Sequence, residues 1–229
     1  MAPLSGNQIK KAGSTLRKRM RGEDIPDEKV IEALDVLEML RSEYQAPLTT
    51  ANMGLRSFIR TTRCGDAQVS QRLKRMPTIL DKLLREPTLS LERMHDIGGC
   101  RAVVQNMDDL TRLRHHILRQ KPGSIEKDYI ATPRVSGYRA LHIVVTYHSR
   151  PIEIQLRTPT MHSWAQFVER HSMESGTNYK QDGESPFQEI ARLAAEIMQS
   201  EEFGQPVPPD LVRRYDDLRQ AFLRGDQDG

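Results

Sequence analysis

The sequence predicts an α+β fold: a β-sheet flanked by helices, with further helical segments at both ends. Three observations carry that prediction. Ile152, Ile154 and Leu156 fall on one face and Glu153, Gln155 and Arg157 on the other, as the two-residue period of a strand requires. Just upstream, Leu141–Tyr147 is apolar and β-branched, and Ser149-Arg150-Pro151 reads as the turn between two strands. Towards both ends of the chain, apolar residues recur at helical spacing instead.

The 229 residues are enough for one large domain, or for a domain with helical extensions. Charged residues make up 28% and the mean hydropathy is −0.62, which implies a soluble protein. No apolar run approaches the ~20 residues that span a bilayer, so no membrane partner is expected. The first residues, MAPLSGNQIKKAG, lack the apolar core of a signal peptide. Cys64 and Cys100 fit neither a CxxC motif nor zinc-ligand spacing, and a reducing, cytoplasmic location is expected. His115-His116 on a polar helical segment and an isolated His95 do not make a zinc site. The net charge of +3 is mild; its distribution matters more.

Taken in order, Lys10, Lys11, Arg17, Lys18, Arg19 and Arg21 form an acid-free helical arm that Gly22 can stop. It reads either as a solvated helix face or as a handle for a polyanion. A helix follows from Pro26, with Val30, Ile31, Leu34, Leu37 and Leu40 as a core stripe. Tyr44–Asn52, with Pro47, reads as a connection, and Leu55–Arg63 as more helix. In 68–86, Val69, Leu73, Ile79, Leu80 and Leu83 can face inward, leaving Arg72, Lys74, Thr78 and Lys82 as a polar set. Lys74, Thr78 and Lys82 are spaced as neighbours on a helix, although Pro77 puts Arg72 and Lys74 on a turn or first segment leading into it. A hydroxyl between two lysines near a helix start suits a polyphosphate.

Ala102-Val103-Val104 reads as a strand, with Asp96 just before it, Arg101 within it and Gly98-Gly99 allowing close approach. Asp108–Gln120 is an amphipathic helix. Thr132–Tyr138 is a loop broken by Pro133 and Gly137, with Arg134, Tyr138, Arg139 and His142 gathered around it. Another helix starts after Thr158 around Trp164, Tyr179–Ser185 is a polar loop, and Phe187–Phe203 and Pro209–Arg224 are helices separated by prolines. The polar row Glu153-Gln155-Arg157 would cost too much to desolvate without a ligand. A ring beside cations and a strand carrying an acid suit a nucleotide with its phosphates; the plainer reading is a solvated hairpin edge.

In order, RLKRMPTILDK, HDIGGCRAVV, KDYIATPRVSGYRALH, IEIQLRT and MHSWA resemble the synthetase domain of the RelA/SpoT superfamily, from about Val69 to Lys180. The resemblance implies a mixed β-sheet related to nucleotidyltransferases, flanked by helices. It divides the chain into a helical extension with the basic arm (1–65), a synthetase domain (66–182) and a C-terminal helical extension (183–229). It also implies an ATP-dependent pyrophosphokinase that moves the β,γ-pyrophosphate of ATP to a ribose 3′-hydroxyl. Arg72 and Arg101 match the arginines that sandwich adenine, and Lys74, Thr78 and Lys82 match the set on the ATP phosphates. Asp96 and Glu153 match the two acids that serve catalysis and Mg²⁺, with Glu153 the base for the attacking hydroxyl. Tyr138 matches the tyrosine that stacks on the acceptor base. Arg134, His142 and Arg157 would meet acceptor phosphates, with Gln155 beside them.

Thr78 replaces the usual serine and Arg134 the usual lysine, but two other departures from the family pattern carry more weight. His162 stands where a guanine-reading asparagine is usual, and Glu169 follows Trp164 by five residues where four is usual. There is neither room nor an HD motif for a hydrolase domain, so the chain is expected among the stand-alone small alarmone synthetases. Some of those are toxins restrained by an antitoxin protein, acting on the 3′-CCA end of tRNA. The basic arm and His162 keep tRNA open as an acceptor beside GDP or GTP. A non-catalytic nucleotide- or RNA-binding module on the same fold, and a nucleotidyltransferase releasing pyrophosphate, are the rival readings.

Overall fold

The two paired strands predicted around residue 149 form the centre of a five-stranded mixed sheet. The computed structural model describes residues 3–175, 179 and 185–225. Its strands are β1 (Gln68–Leu73), β2 (Gly98–Val103), β3 (Ile125–Asp128), β4 (Leu141–Tyr147) and β5 (Arg150–Arg157), in the spatial order β1-β2-β5-β4-β3. β2 and β5 run parallel and the other neighbours antiparallel. The helices are α1 (Gly6–Met20), α2 (Asp27–Glu43), α3 (Gln45–Thr62), α4 (Met76–Arg85), α5 (Met107–Gln120), α6 (Pro159–Ser175), α7 (Pro186–Glu202) and α8 (Pro209–Gly225).

One face of the sheet is apolar and buried. Cys100, Ala102, Ile143, Val145, Ile152, Ile154 and Leu156 pack beneath Leu48, Ala51 and Leu55 of α3 and Leu110, Leu113 and Ile117 of α5. Each such branched side chain contributes roughly 1.5–3 kcal/mol on burial, enough to fix the register of the strands. Gly98 belongs to this face: a Cβ there would lie 2.8 Å from Tyr44, whose ring fills the space at the α2–α3 junction. The other face is polar. Ser70, Arg101, Gln155, His142 and Lys127 stand in register across all five strands, with Arg72, Gly99 and Glu153 in the adjacent row.

Several local expectations change. The hairpin turn is His148-Ser149, both in the left-handed region at φ 47° and 63°, the backbone that a two-residue hairpin demands. Arg150 and Pro151 are already in β5, opposite Tyr147 and Thr146. Residues 45–52 are the first turns of α3, where Pro47 is tolerated because the earliest N–H groups have no helical partner. Residues 68–73 are a strand, not the start of a helix, and Pro77 opens α4 instead of breaking it. In the α2 stripe Ile31 is 59% exposed while Leu37 and Leu40 are buried. The polar loop at 179–185 lies, apart from its two ends, outside the described residues, as does the domain boundary at 182/183.

Candidate active site

The polar face of the sheet floors a cleft of about 310 Å³, walled by α4, the loop before β4 and α6. On one side, Lys74 follows β1 directly and its amide extends the β1–β2 ladder by donating to the Ile97 carbonyl at 2.8 Å. Lys82 comes from α4. Both ammonium groups close on Asp96, Lys74 Nζ at 2.6 Å from Oδ2 and Lys82 Nζ at 3.0 Å from Oδ1. Burial pushes the Asp96 carboxyl up, but the two lysines outweigh it and hold the group at about 2. Burial, with Lys82 and Arg72 nearby, drives the Lys74 ammonium down from its ordinary value against the pull of Asp96.

Five side chains close a hydrogen-bonded ring on the other side. Glu153 Oε1 lies 3.0 Å from His142 Nδ1, and His142 Nε2 lies 2.7 Å from the Tyr138 hydroxyl. Arg157 donates to that hydroxyl at 2.8 Å and to Gln155 Oε1 at 3.0 Å, and Gln155 Nε2 donates to Glu153 Oε2 at 2.7 Å. A Tyr138 hydroxyl that accepts from Arg157 can still donate its own proton to His142 Nε2, an arrangement in which His142 Nδ1–H donates to Glu153. Burial raises the Glu153 carboxyl, but its bonds to His142 and Gln155 win and leave it below the usual carboxylate range. The β4–β5 pairing sets His142 opposite Gln155, so Glu153 and Gln155, two apart on one strand face, share the imidazole's side of the sheet.

Of the residues expected in the site, Arg72, Lys74, Lys82, Asp96, Arg101, Arg134, Tyr138, His142, Glu153, Gln155 and Arg157 all line the cleft. Thr78 is exposed on the first turn of α4 and His162 is half-buried on α6; neither lines it. Arg139, read with the cations of the loop, turns away from the cleft and is 4% exposed. Tyr138 is 7% exposed, with the Arg157 guanidinium 5.2 Å from its ring centroid. The cleft also takes in Lys127, Tyr129, Arg85 and Glu169, which sequence reading did not place in the site. Tyr129 carries the Arg134 guanidinium 4.7 Å above its ring. The one available signal for Lys127 and Tyr129 was their closeness to the loop, because β3 contributes only four residues.

In the basic arm, Lys10, Lys11, Lys18, Arg19 and Arg21 are exposed. Arg17 is tied into the fold, donating to the Leu83 carbonyl at 2.8 Å and also to Leu89, whereas Arg19 pairs at the surface with Asp27 at 2.8 Å.

Among the described residues no group of three or more His, Cys, Asp or Glu side chains could hold a metal. Asp96 nonetheless lies close enough to push the Glu153 carboxyl up, and the two offer hard oxygens to one cleft. Magnesium uses one or two carboxylates and takes its other ligands from phosphates and water, so the pair fits an ion brought in by a polyphosphate.

A sheet of this order, with acids and cations on its open face, defines an α+β domain with one charged cleft. Residues 71–184 match the family described as the region found in RelA / SpoT proteins, and the chain belongs to that family. It is 34% identical over 137 residues to GTP pyrophosphokinase YjbM of Bacillus subtilis, covering 55% of this chain and 62% of the relative. It is 30% identical over 161 residues to the bifunctional (p)ppGpp synthase/hydrolase SpoT of Escherichia coli, covering 63% of this chain and 22% of that one. The matches thus span less than two thirds of these relatives' lengths. The fold is that of the small alarmone synthetase 2 from B. subtilis (TM-score 0.58, 24% identity, 72% of this chain and 92% of that one). It also matches B. subtilis small alarmone synthetase 1 solved with its product pppGpp (0.59, 23%, 85% and 100%).

Proposed function

We propose that the protein is an ATP-dependent pyrophosphokinase that transfers the β,γ-pyrophosphate of ATP to the 3′-hydroxyl of GDP or GTP. The observation that carries this reading is Glu153. It is an ionised carboxylate aimed from the floor of the cleft, held on both oxygens, and it faces the Lys74–Asp96–Lys82 cluster. In the reaction the acceptor 3′-oxygen attacks the β-phosphorus, the bond from that phosphorus to the bridging oxygen breaks, and AMP leaves with the oxygen. The hydroxyl proton passes to Glu153 and then to solvent. A carboxylate is a weak base, which suffices because phosphoryl transfer runs through a loose transition state with late proton loss. Positioning is then most of the task, and the ring through His142 and Gln155 supplies it. Asp96 and Glu153 would hold magnesium, whose charge would offset that gathering on the phosphates.

Lys74 and Lys82 would exchange Asp96 for phosphate oxygens, and Arg72 and Arg101, diagonal neighbours on one face of β1 and β2, would flank the adenine. Thr78, one turn from Lys82, would reach the phosphates only as they extend over the start of α4. On the acceptor side Tyr138, Arg134, His142, Gln155 and Arg157 would bind the guanine nucleotide, with His162 behind them on α6. Arg157 keeps Nε and one Nη buried without a partner, donors that an anionic acceptor could satisfy. The relatives support this reading: YjbM is named a GTP pyrophosphokinase, and small alarmone synthetase 1 was solved with pppGpp.

The tRNA 3′ end is the second acceptor reading, favoured by the five arm cations that stay exposed. An antitoxin partner would accompany it. Incubation with γ-labelled ATP and GDP, GTP or tRNA separates the two. Label on the guanine nucleotide with release of AMP is expected; label on tRNA would move the acceptor there. Free labelled pyrophosphate would point to a nucleotidyltransferase, and no turnover at all to a binding module.

A further inference from the structure

Gly137, Tyr138 and Arg139 are split between two neighbourhoods. Tyr138 sends its hydroxyl into the cleft, to His142 and Arg157. Arg139 leaves the cleft for the end of α7, where its Nη2 donates to Glu202 Oε2 at 2.8 Å and its guanidinium lies 5.4 Å from the Phe203 ring. The pair is deeply buried, at 5% and 8% side-chain exposure. The other Glu202 oxygen accepts from the Thr158 hydroxyl. Thr158 follows Arg157 in the chain, just as Arg139 follows Tyr138. One carboxylate therefore ties together the two backbone segments whose side chains, Arg157 and Tyr138, meet in the cleft.

The docking of α7 against this loop is seen independently at two more points. Gly137 has φ +86°, and a Cβ there would lie 2.7 Å from that of Ala195 and 3.2 Å from the Arg192 Cα. Trp164 donates its indole N–H to the Ala191 carbonyl at 2.7 Å. No described residue of α7 lines the cleft itself. Arg139 Nε has no hydrogen-bond partner, so Glu202 is the anion that compensates this buried cation. Loss of that charge leaves an uncompensated guanidinium one residue from Tyr138, and the loop must shift to relieve it.

We infer that Glu202 is a positioning residue for the acceptor: from the end of α7 it sets the spacing of Tyr138 and Arg157 and leaves the Lys74–Asp96–Lys82 side untouched. The inference rests on the proposed assignment of Tyr138 and Arg157 to the acceptor. The test is steady-state kinetics of Glu202→Gln, which keeps the shape and removes the charge, with Glu202→Asp as the conservative partner. Expected is a rise of about tenfold in acceptor KM, ATP KM within about twofold of wild type, and partial recovery in the Asp variant. Both KM values unchanged, or both raised alike, would overturn it. Should the Gln variant fail to fold, Thr158→Val removes the other arm of the tie and is judged by the same split. Quenching of Trp164 fluorescence by guanine nucleotide and by an ATP analogue gives the comparison without turnover. A wild type inactive on guanine nucleotides would thus defeat the proposed reaction, while the binding shift would still decide the role of Glu202.

Discussion

The two sides of the cleft are built on opposite plans. Around Asp96, two lysines converge on one carboxylate, and the neighbouring Arg72 and Thr78 stay exposed with their side chains free to reorganise. Around Glu153, the side chains of Tyr138, His142, Gln155 and Arg157 are joined with it in a closed ring, braced from behind by α6 and α7. On the proposed reading, the first is a set of charges that would trade an internal anion for phosphate. The second is a frame already in its working shape. A flexible triphosphate can be gripped by mobile cations, whereas a single hydroxyl must be aligned within tenths of an ångström.

The largest expected effect breaks the frame at its centre. Glu153→Gln should lower kcat by roughly 10²–10⁴-fold, because the amide accepts no proton, while ATP binding persists. Near-wild-type turnover would remove Glu153 from the chemistry. Next, Lys82→Met should raise the Asp96 carboxyl from about 2 towards its ordinary 3.8, since one of two compensating cations is gone. Asp96 is a group whose pKa falls on folding. The stability it contributes is therefore present above pH ~4 and lost as pH drops towards 2, a contribution of roughly 2 kcal/mol for a shift of this size. Acid titrations followed by circular dichroism should show the variant unfolding at higher pH than wild type. An unchanged acid limb would mean that Lys82 does not hold Asp96.

Much of this division was legible in the sequence, and the failures have physical causes. The alternation Ile152–Arg157 located the floor of the cleft, and the β-branched run before it located β4, because those central strands bury one full face. Both strands that escaped, β1 and β3, are the edges of the sheet. In β1 the partly buried residues are Val69 and Leu73, four apart, which mimics a helix; β3 is too short to alternate. The acids and cations of the cleft were readable as chemistry. Arg139 was misplaced because its partner, Glu202, lies 63 residues away, and no local pattern announces such a pair. The tie of Arg17 was hidden for the same reason: the carbonyls of Leu83 and Leu89 that hold it are visible only once α1 is folded against α4.

Smaller effects sharpen the comparison. Tyr138→Phe keeps the ring but strips the hydroxyl from His142 and Arg157, and leaving those buried partners unpaired should cost about 1–3 kcal/mol in a denaturant melt. A melt indistinguishable from wild type would mean that the ring is no structural frame. The smallest effect is expected from reversing Lys10, Lys11, Lys18 and Arg21 to Glu. Nucleotide turnover should stay within about twofold, because these cations project from α1 and none lines the cleft. A steep loss confined to tRNA, with a flatter salt dependence, would favour the tRNA reading instead.

The division itself is tested most directly by equilibrium binding of two ligands, a non-hydrolysable ATP analogue and GDP, to Lys82→Met and Tyr138→Ala. The lysine variant should lose roughly tenfold or more in affinity for the ATP analogue and bind GDP as wild type does, given the strength of charge-assisted phosphate contacts. The tyrosine variant should show the reverse, with several-fold weaker GDP binding from the lost stacking surface. Equal losses for both ligands in both variants would contradict the account, since the cleft would then be one undivided site.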